Sequence, residues 1–522
     1  MPRGRWIVGG IVLLVLIVVV GGGIMLVTSK ATLTSDSTAL AAISLPRGGG
    51  TIESVTVRSG PHSARVPIEV RGDKVWPNGT LPAHQLVTID AVVKRPGWIG
   101  WAAGKTEKLH LQLMTPVTKL KAHFITVKKH QPLTLKFATP IRVVSYGTPG
   151  HLRRHQLGSP QSEFTVPRSA TAGTMYVAAA PRSWETSKAA AISWFPVGSA
   201  ASALASPAPG STIQANTPIT LTFSKTVKQA LGSSRPSISP ATSGNWQTTS
   251  AHSVTFTPTG YGYGLGAKVS IGLPSGVKLA GAGSGATWTV PGGSPLRMQQ
   301  LLAILGYLPL TFKYADGNGI GRTPEQQLKA AIKPPAGHFD WRYSNTPSAL
   351  RGMWKPGASG VMMQGALMAF ENDHGMTTDG LAGPSVWKAL IQAAIDGKKS
   401  SFGYTFVTVS LSGQSLNLWH SGQTKVTTPV NTGIASRPTD PGTFPVYSHL
   451  PVTTMSGTNP DGSHYDDPGI QYVSYFNGGD ALHAFTRAQY GFPQSLGCVE
   501  MALGPAGQVF PYTPIGTLVH VA

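Results

Sequence analysis

The sequence predicts a multidomain, mainly β chain: an N-terminal transmembrane helix, tandem β-sandwich domains, one small helical domain and a C-terminal, mostly-β domain. Three observations predict it. An uninterrupted apolar run, Trp6 to Val27, stands near the N-terminus. Short alternating segments broken by Pro, Gly and Asn dominate the chain beyond that run. The hydrophobic period becomes helical only between about residues 295 and 397. At 522 residues the chain exceeds what one core supports. Its 12% charged residues, 62 Gly and 42 Pro fit an extracellular, turn-dense β protein rather than a cytosolic enzyme. Lys and Arg outnumber Asp and Glu by 42 to 21, a formal charge of +21. No basic run with interleaved aromatics accompanies that charge, which argues against nucleic acid as partner and leaves anionic wall polymers, an anionic membrane surface or an acidic habitat.

The run 6–27 has the length a bilayer-spanning helix requires, and the arginines in residues 1–5 place that basic start in the cytoplasm and the rest outside. A cleaved signal peptide is the other reading; an Ala39-Leu-Ala41 site exists, but far beyond the apolar run. Residues 28–49, rich in Ser, Thr, Ala and Gly, are expected to be a linker. Segments such as Ile52–Val57 and Leu86–Val93 make 50–115 a β-rich domain. Trp98 and Trp101 read as aromatic packing, with an exposed carbohydrate platform as the alternative. Gln131-Pro-Leu-Thr-Leu-Lys-Phe137 repeats as Thr217-Pro-Ile-Thr-Leu-Thr-Phe223, which divides the next stretch into sandwich-like units at 116–205 and 206–291. The second resembles a bacterial Ig-like domain.

Helical stretches at Leu296–Leu305, Val361–Glu371 and Pro384–Ile395 define a domain at 295–397. Its Ala366-Leu-Met-Ala-Phe370 and Asp379-Gly-Leu-Ala-Gly-Pro-Ser-Val-Trp387 resemble the helical peptidoglycan-binding module, with a long insert at about 307–357. Within that insert Gly337–Tyr343 reads as core, or else as a glycan contact. Strands return from Phe402. Pro451–Gly469, polar and rich in breakers, is expected to be a loop beside the site.

The only cysteine, Cys498, cannot pair within the chain, so it is either an inert buried side chain or a nucleophile. Gly497 permits close backbone approach, and His483 lies fifteen residues upstream at the end of a strand-like run, the pairing an acyl-transferring thiol needs.

These residues carry a resemblance to the YkuD-type L,D-transpeptidase catalytic domain over about 402–521. The family's His-Gly and Ser-His-Gly-Cys-(Ile/Val)-Arg-Met appear here as His483-Ala484 and Ser495-Leu496-Gly497-Cys498-Val499-Glu500-Met501. Arg437-Pro-Thr-Asp-Pro-Gly-Thr-Phe-Pro-Val446 looks like the family's Thr-Pro-x-Gly-x-Phe segment. Leu496, Glu500 and Ala484 depart from the pattern, in a manner similar to an actinobacterial-type subgroup with Ser-(Tyr/Leu)-Gly-Cys-Val-Glu.

The resemblance implies a mostly-β catalytic fold with Cys498 as nucleophile and His483 as general base, held by the Ala484 carbonyl. The backbone N–H groups of Gly497 and Cys498, at a tight turn, are the expected oxyanion donors, supported by Ser495, and Tyr475, Phe476, Leu496 and Glu500 are placed on the substrate side. For Glu500 two roles stand open: acceptor choice, or pairing with a basic neighbour. It further implies peptidoglycan stem peptides and glycan as partners, 3-3 crosslinking through a thioester, and neither cofactor nor metal. A cell-membrane location with the domains on the wall side follows from the apolar run. Two other readings stand beside this one: an L,D-carboxypeptidase using water as acceptor, and a non-catalytic wall-binding scaffold.

Overall fold

The computed structural model describes residues 30–46, 49–168, 170–280 and 286–522. The expected basic start and transmembrane helix lie outside these residues. Among the described residues no helix is long and apolar enough to cross a membrane. The chain divides into two compact units. One holds the described residues up to Leu204 with Thr222–Thr226 and 276–280; the other holds Ala205–Leu221, Val227–Ser275 and 286–522.

In the first unit the expected linker is a correction. Strands Thr32–Ser35 and Ala41–Ser44 form a four-stranded sheet with Lys74–Pro77 and Ile68–Arg71, facing a second sheet of Ala64–Val66, Thr51–Ser59, Leu86–Lys94 and Thr106–Met114. Ala39, Leu40, Ala41 and Ile43 are fully buried in the core between them, beside Val57, Ile89 and Val93. Small residues read as a spacer because each contributes little apolar area, yet alternation at 41 and 43 is what one face of a strand requires. The Ala39-Leu-Ala41 triplet is thus part of the core.

A five-stranded sheet comes next, ordered Phe124–Val127, Ala190–Pro196, Gly173–Ala180, Leu133–Thr148, His151–Val166. The expected boundary at 115/116 is bridged. Leu81–Pro82 pairs in parallel with Glu185–Thr186. Trp184 packs into the first core and donates from Nε1 to Thr38 O at 2.8 Å. Trp98 and Trp101 sit on a short helix, Gly97–Ala103, and are 47% and 85% exposed, so packing does not account for them.

The repeat segments keep the same inward residues in both copies: Ile219, Leu221 and Phe223 are buried, as are Leu133, Leu135 and Phe137. A three-stranded sheet of Ser237–Ser239, Lys268–Gly272 and Thr287–Thr289 carries the buried Trp288, whose Nε1 donates to Pro207 O at 3.1 Å. The helices of the next module run Pro295–Leu305, Pro324–Ile332, Ser348–Gly352, Val361–Asp373 and Pro384–Asp396. Thr323 closes a capping box with Gln326, and Gly306 and Gly397 end two helices in the left-handed conformation. Gly337–Trp341 pairs with Leu310–Tyr314, and Phe339 packs between Phe312, tilted to it, and Trp354, edge-on.

The C-terminal domain has two sheets. We label its strands β1 (Thr405–Ser410), β2 (Ser415–His420), β3 (Gln423–Pro429), β4 (Gly442–Pro445), β5 (Ser448–Thr458), β6 (His464–Asn477), β7 (Asp480–Ala484), β8 (Val499–Met501) and β9 (Leu518–Val521), with helix α1 at Leu503–Val509. The sheets are ordered β3-β2-β1-β9-β4 and β5-β6-β7-β8. Between them lie Val407, Val409, Leu416, Leu418, Leu482, Val499, Met501 and Val519, all buried. The helical module packs on this domain where Gly365 meets Gly516; a Cβ on Gly516 would stand 2.3 Å from the Gly365 carbonyl. The expected loop at 451–469 is instead a long hairpin, β5 on β6 with its turn at about 459–463. Pro468 and Gly469 do not break it, because a register shift between Thr453 and Met455 absorbs them opposite the irregularity.

Leu40→Ala should lower the stability of the first unit by about 2–5 kcal/mol in denaturant unfolding of the full chain, the cost of emptying a filled core position; a change near zero is what a linker residue would give.

Candidate active site

The site is built by one strand pairing. β7 and β8 run parallel, with Leu482 opposite Val499, His483 opposite Glu500 and Ala484 opposite Met501. Side chains alternate, so Leu482 and Val499 go into the core while His483 shares the opposite face with Glu500 and Cys498. The Cys498 segment is stitched along its other edge to residues 431–439. Asn431 and Glu500 exchange backbone hydrogen bonds, 3.0 Å and 2.9 Å, and Ile434 N donates to Ser495 O at 2.9 Å. Thr439 Oγ1 accepts from Gly433 N at 2.9 Å and donates to Gly497 O at 2.6 Å.

His483 is buried, and its Nδ1–H donates to the Ala484 carbonyl at 3.0 Å. That bond leaves Nε2 as the acceptor nitrogen. Burial lowers the imidazole pKa, a pull that the Ala484 and Glu500 contributions only partly oppose. The ring is therefore neutral at pH 7 and able to take a proton.

Cys498 is half-buried, packed with Met455, Tyr475 and Phe485 against Ile470, Val473 and Ala481. Its thiol lies 3.7 Å from the Gly479 carbonyl. Burial pushes the thiol up to about 12, with the Ala481 N–H opposing the rise and the Asp480 and Glu500 charges adding to it. Asp480 is itself raised to about 6, first by burial and then by the neighbouring Asp440. The resting site therefore holds a neutral thiol and a neutral imidazole, not a thiolate–imidazolium pair.

Gly497 has φ +121°, and a Cβ there would lie 2.3 Å from Asp480 Oδ1. Only glycine suits both the backbone and the carboxylate beside it. Its N–H is directed to Ser495 Oγ at 3.3 Å, and Ser495 Oγ donates to Cys498 O at 2.5 Å. In the resting site the Gly497 N–H, one of the expected oxyanion donors, is thus directed into the turn that Ser495 locks.

Two of the residues placed on the substrate side are also corrected. Phe476 is 3% exposed and belongs to the core between the sheets, against Phe444. Glu500 is 4% exposed and accepts from Arg487 at both oxygens, Nε to Oε2 at 2.9 Å and Nη2 to Oε1 at 2.8 Å. Of its two readings, pairing with a basic neighbour is the one the structure contains. Leu496 is half-buried at the turn and has no group to move a proton. Tyr475 does stand beside Cys498, and burial together with the sulfur raises its hydroxyl pKa.

Sequence reading misses several neighbours. Tyr447 and Tyr465 also feel the Cys498 sulfur. Asp480 reads only as part of the strand, although its carboxylate lies against the Gly497 turn. Thr439 lies inside the quoted 437–446 segment, and Arg487 is the one basic residue between His483 and Cys498.

Residues 404–521 match the family model of the L,D-transpeptidase catalytic domain. No curated protein matches the chain. Among solved structures it is similar to the catalytic domain of an L,D-transpeptidase from E. faecium, 26% identical over 23% of this chain and 96% of that one, with a TM-score of 0.21. An L,D-transpeptidase from Mycobacterium smegmatis is 12% identical, covering 61% of this chain and 96% of that one, TM-score 0.21. One from Mycobacterium tuberculosis H37Rv is 12% identical over the same shares, TM-score 0.20. Scores this low add no weight to the domain match.

Two outcomes follow from this geometry. Arg487→Ala leaves a buried carboxylate unpaired and should destabilise the C-terminal domain by roughly 2–3 kcal/mol, discounted because Arg487 is partly exposed. Glu500→Arg should do likewise, with Arg487→Glu in that background restoring the melting temperature; no restoration would show that the pair is not what holds the segment. Separately, Asp480→Asn removes a negative charge near the sulfur, so the pH midpoint for alkylation of Cys498 by iodoacetamide should fall. An unchanged or higher midpoint would contradict the charge argument.

Proposed function

Given an L,D-transpeptidase catalytic domain at residues 404–521, we propose that this chain crosslinks peptidoglycan stems through a Cys498 thioester. The observation that carries it is the fixed tautomer of His483, with Nε2 free for a proton, on the sheet face that also bears the chain's only thiol. The donor is a tetrapeptide stem ending in D-alanine. Cys498 Sγ attacks the carbonyl between the L-centre of meso-diaminopimelate and that D-alanine. His483 Nε2 takes the thiol proton as the S–C bond forms, which suits a thiol that burial keeps protonated. The proton passes to the leaving amine, D-alanine departs, and the acyl group stays on sulfur. A side-chain amine of a second stem then displaces the sulfur, giving a 3-3 crosslink and returning the proton to Cys498.

Met455, Tyr475 and Cys498 pack on one small apolar cluster of Ile470, Val473 and Ala481, surroundings suited to keeping water from the thioester, which favours transfer over hydrolysis. An L,D-carboxypeptidase, with water as acceptor, is the other reading of the same site. The paired helical stretches at 295–397 are read as a peptidoglycan-binding module and 206–291 as an Ig-like spacer. The run 6–27 is read as the membrane anchor that sets the domains on the wall side.

The test is incubation of the protein with a tetrapeptide stem, with and without an acceptor stem. Release of D-alanine with crosslinked dimer is expected from the wild type. Cys498→Ala should abolish both, and His483→Ala should slow both by about 100-fold or more while leaving the melting temperature nearly unchanged. D-alanine release without dimer would support the carboxypeptidase. Release by the Cys498 variant would remove the thiol from the mechanism.

A further inference from the structure

The first unit contains a cleft of about 670 Å³ where the N-terminal sandwich meets the five-stranded sheet. It lies within the range of ligand sites. The parallel pair Leu81–Pro82 with Glu185–Thr186 closes one side, and Ala83 N donates to Thr186 O at 2.7 Å. Buried Phe137 and Val177 form its apolar floor. Lys119, Lys188, His84 and His123 stand exposed at its rim, and no carboxylate is among the lining residues. Among the described residues neither lysine has an ion-pair partner.

The charge of the chain is concentrated here. Residues 117–190 hold eleven Lys and Arg against two Asp and Glu, so this one stretch supplies +9 of the total +21. One of the two acids, Glu163, is already paired with Lys136, and the other, Glu185, is buried. Two rim groups are held in place by the backbone. His84 adopts a left-handed conformation, φ +58°. It is locked there by buried Thr115, whose carbonyl accepts from His84 N at 3.1 Å and whose Oγ1 accepts from Gln85 N at 2.8 Å. A non-glycine residue in that region is strained, and such strain clusters where a side chain must be presented. His123 Nδ1 donates to Ala191 O at 3.0 Å, which leaves its other nitrogen toward the cleft mouth.

We propose that this cleft binds an acidic glycopolymer, with Lys119, Lys188, His84 and His123 taking its repeated anionic groups and the apolar floor taking the sugar or polyol between them. The site would give the unit a grip on the wall independent of the C-terminal chemistry. Nucleic acid fits less well: single strands need aromatic faces for base stacking, and the one aromatic residue lining the cleft, Phe137, is 1% exposed. Phosphodiester and carboxylate polymers share the required chemistry, and the experiment separates them.

Binding of the full-length protein to a glycerol-phosphate polymer, polygalacturonate, neutral dextran and single-stranded DNA is measured by calorimetry at two salt concentrations. One or both acidic glycopolymers should bind, dextran should not, and DNA should bind more weakly. The double variant Lys119→Glu/Lys188→Glu should weaken binding by about tenfold or more and flatten its salt dependence. Lys128→Glu/Lys129→Glu, the same charge change away from the cleft, should weaken it by less than about threefold at the higher salt, where charges outside contact distance are screened. Preferential binding of the glycerol-phosphate polymer or of polygalacturonate identifies the anionic group. Equal losses in the two variants, tighter binding of DNA, or no binding of either acidic polymer would overturn the proposal. Unchanged melting temperatures and unchanged D-alanine release in both variants keep its failure distinct from failure of the transpeptidase reading.

Discussion

The site depends on the parallel register of β7 and β8. Three residue pairs fix it: Leu482 with Val499, His483 with Glu500, Ala484 with Met501. A slip of one residue would exchange the faces, burying His483 in the core and turning Leu482 toward the thiol. The register is held from both sides. Leu482, Val499 and Met501 belong to the core between the sheets, and the opposite face is clamped by the bidentate Arg487–Glu500 pair. Arg487 also lies over the Phe485 ring at 4.5 Å, tying the connection between the two strands to the strand it leads into.

Burial then sets the electrostatics. The same desolvation that lowers the His483 pKa raises those of Cys498 and Asp480, so each group is pushed toward its uncharged form. Such a site gains from charge only as a reaction creates it. It has little resting thiolate to lose to stray oxidants, and it depends on general-base assistance during attack. Asp480 carries a linkage consequence as well. Its folded pKa lies above its ordinary value, so its contribution to stability is present below about pH 4 and is lost as pH rises through about 6.

Much of the fold was legible because period-two alternation and helical spacing are direct imprints of which face is buried. The repeat at 131–137 and 217–223 shows the same inward positions in both copies, and the helices at 295–305, 361–373 and 384–396 fall within two residues of the expected 296–305, 361–371 and 384–395. Residues 31–46 escaped because Ala and Ser make a strand look like a spacer; their burial depends on partners at 57, 75 and 89 that local composition does not reveal. The β5–β6 hairpin escaped because its faces are largely exposed, leaving no apolar alternation to read. Within the site, Cys498, His483 and the Ala484 carbonyl were legible as chemistry. The sense in which neighbours face was not. Phe476 and Glu500 both stand close to His483 or Cys498 in sequence, but one turns into the core and the other into an ion pair, and that choice is made by tertiary register.

The central claim is that Cys498 is an activated, substrate-accessible acyl acceptor despite a thiol that burial raises to about 12. Its most direct test is the intact mass of the protein, residues 31–522, after incubation with a carbapenem, beside the Cys498→Ala variant. A stoichiometric adduct on the wild type alone is the predicted result. A wild-type thiol that reacts with a small alkylating reagent yet takes up no carbapenem would contradict it.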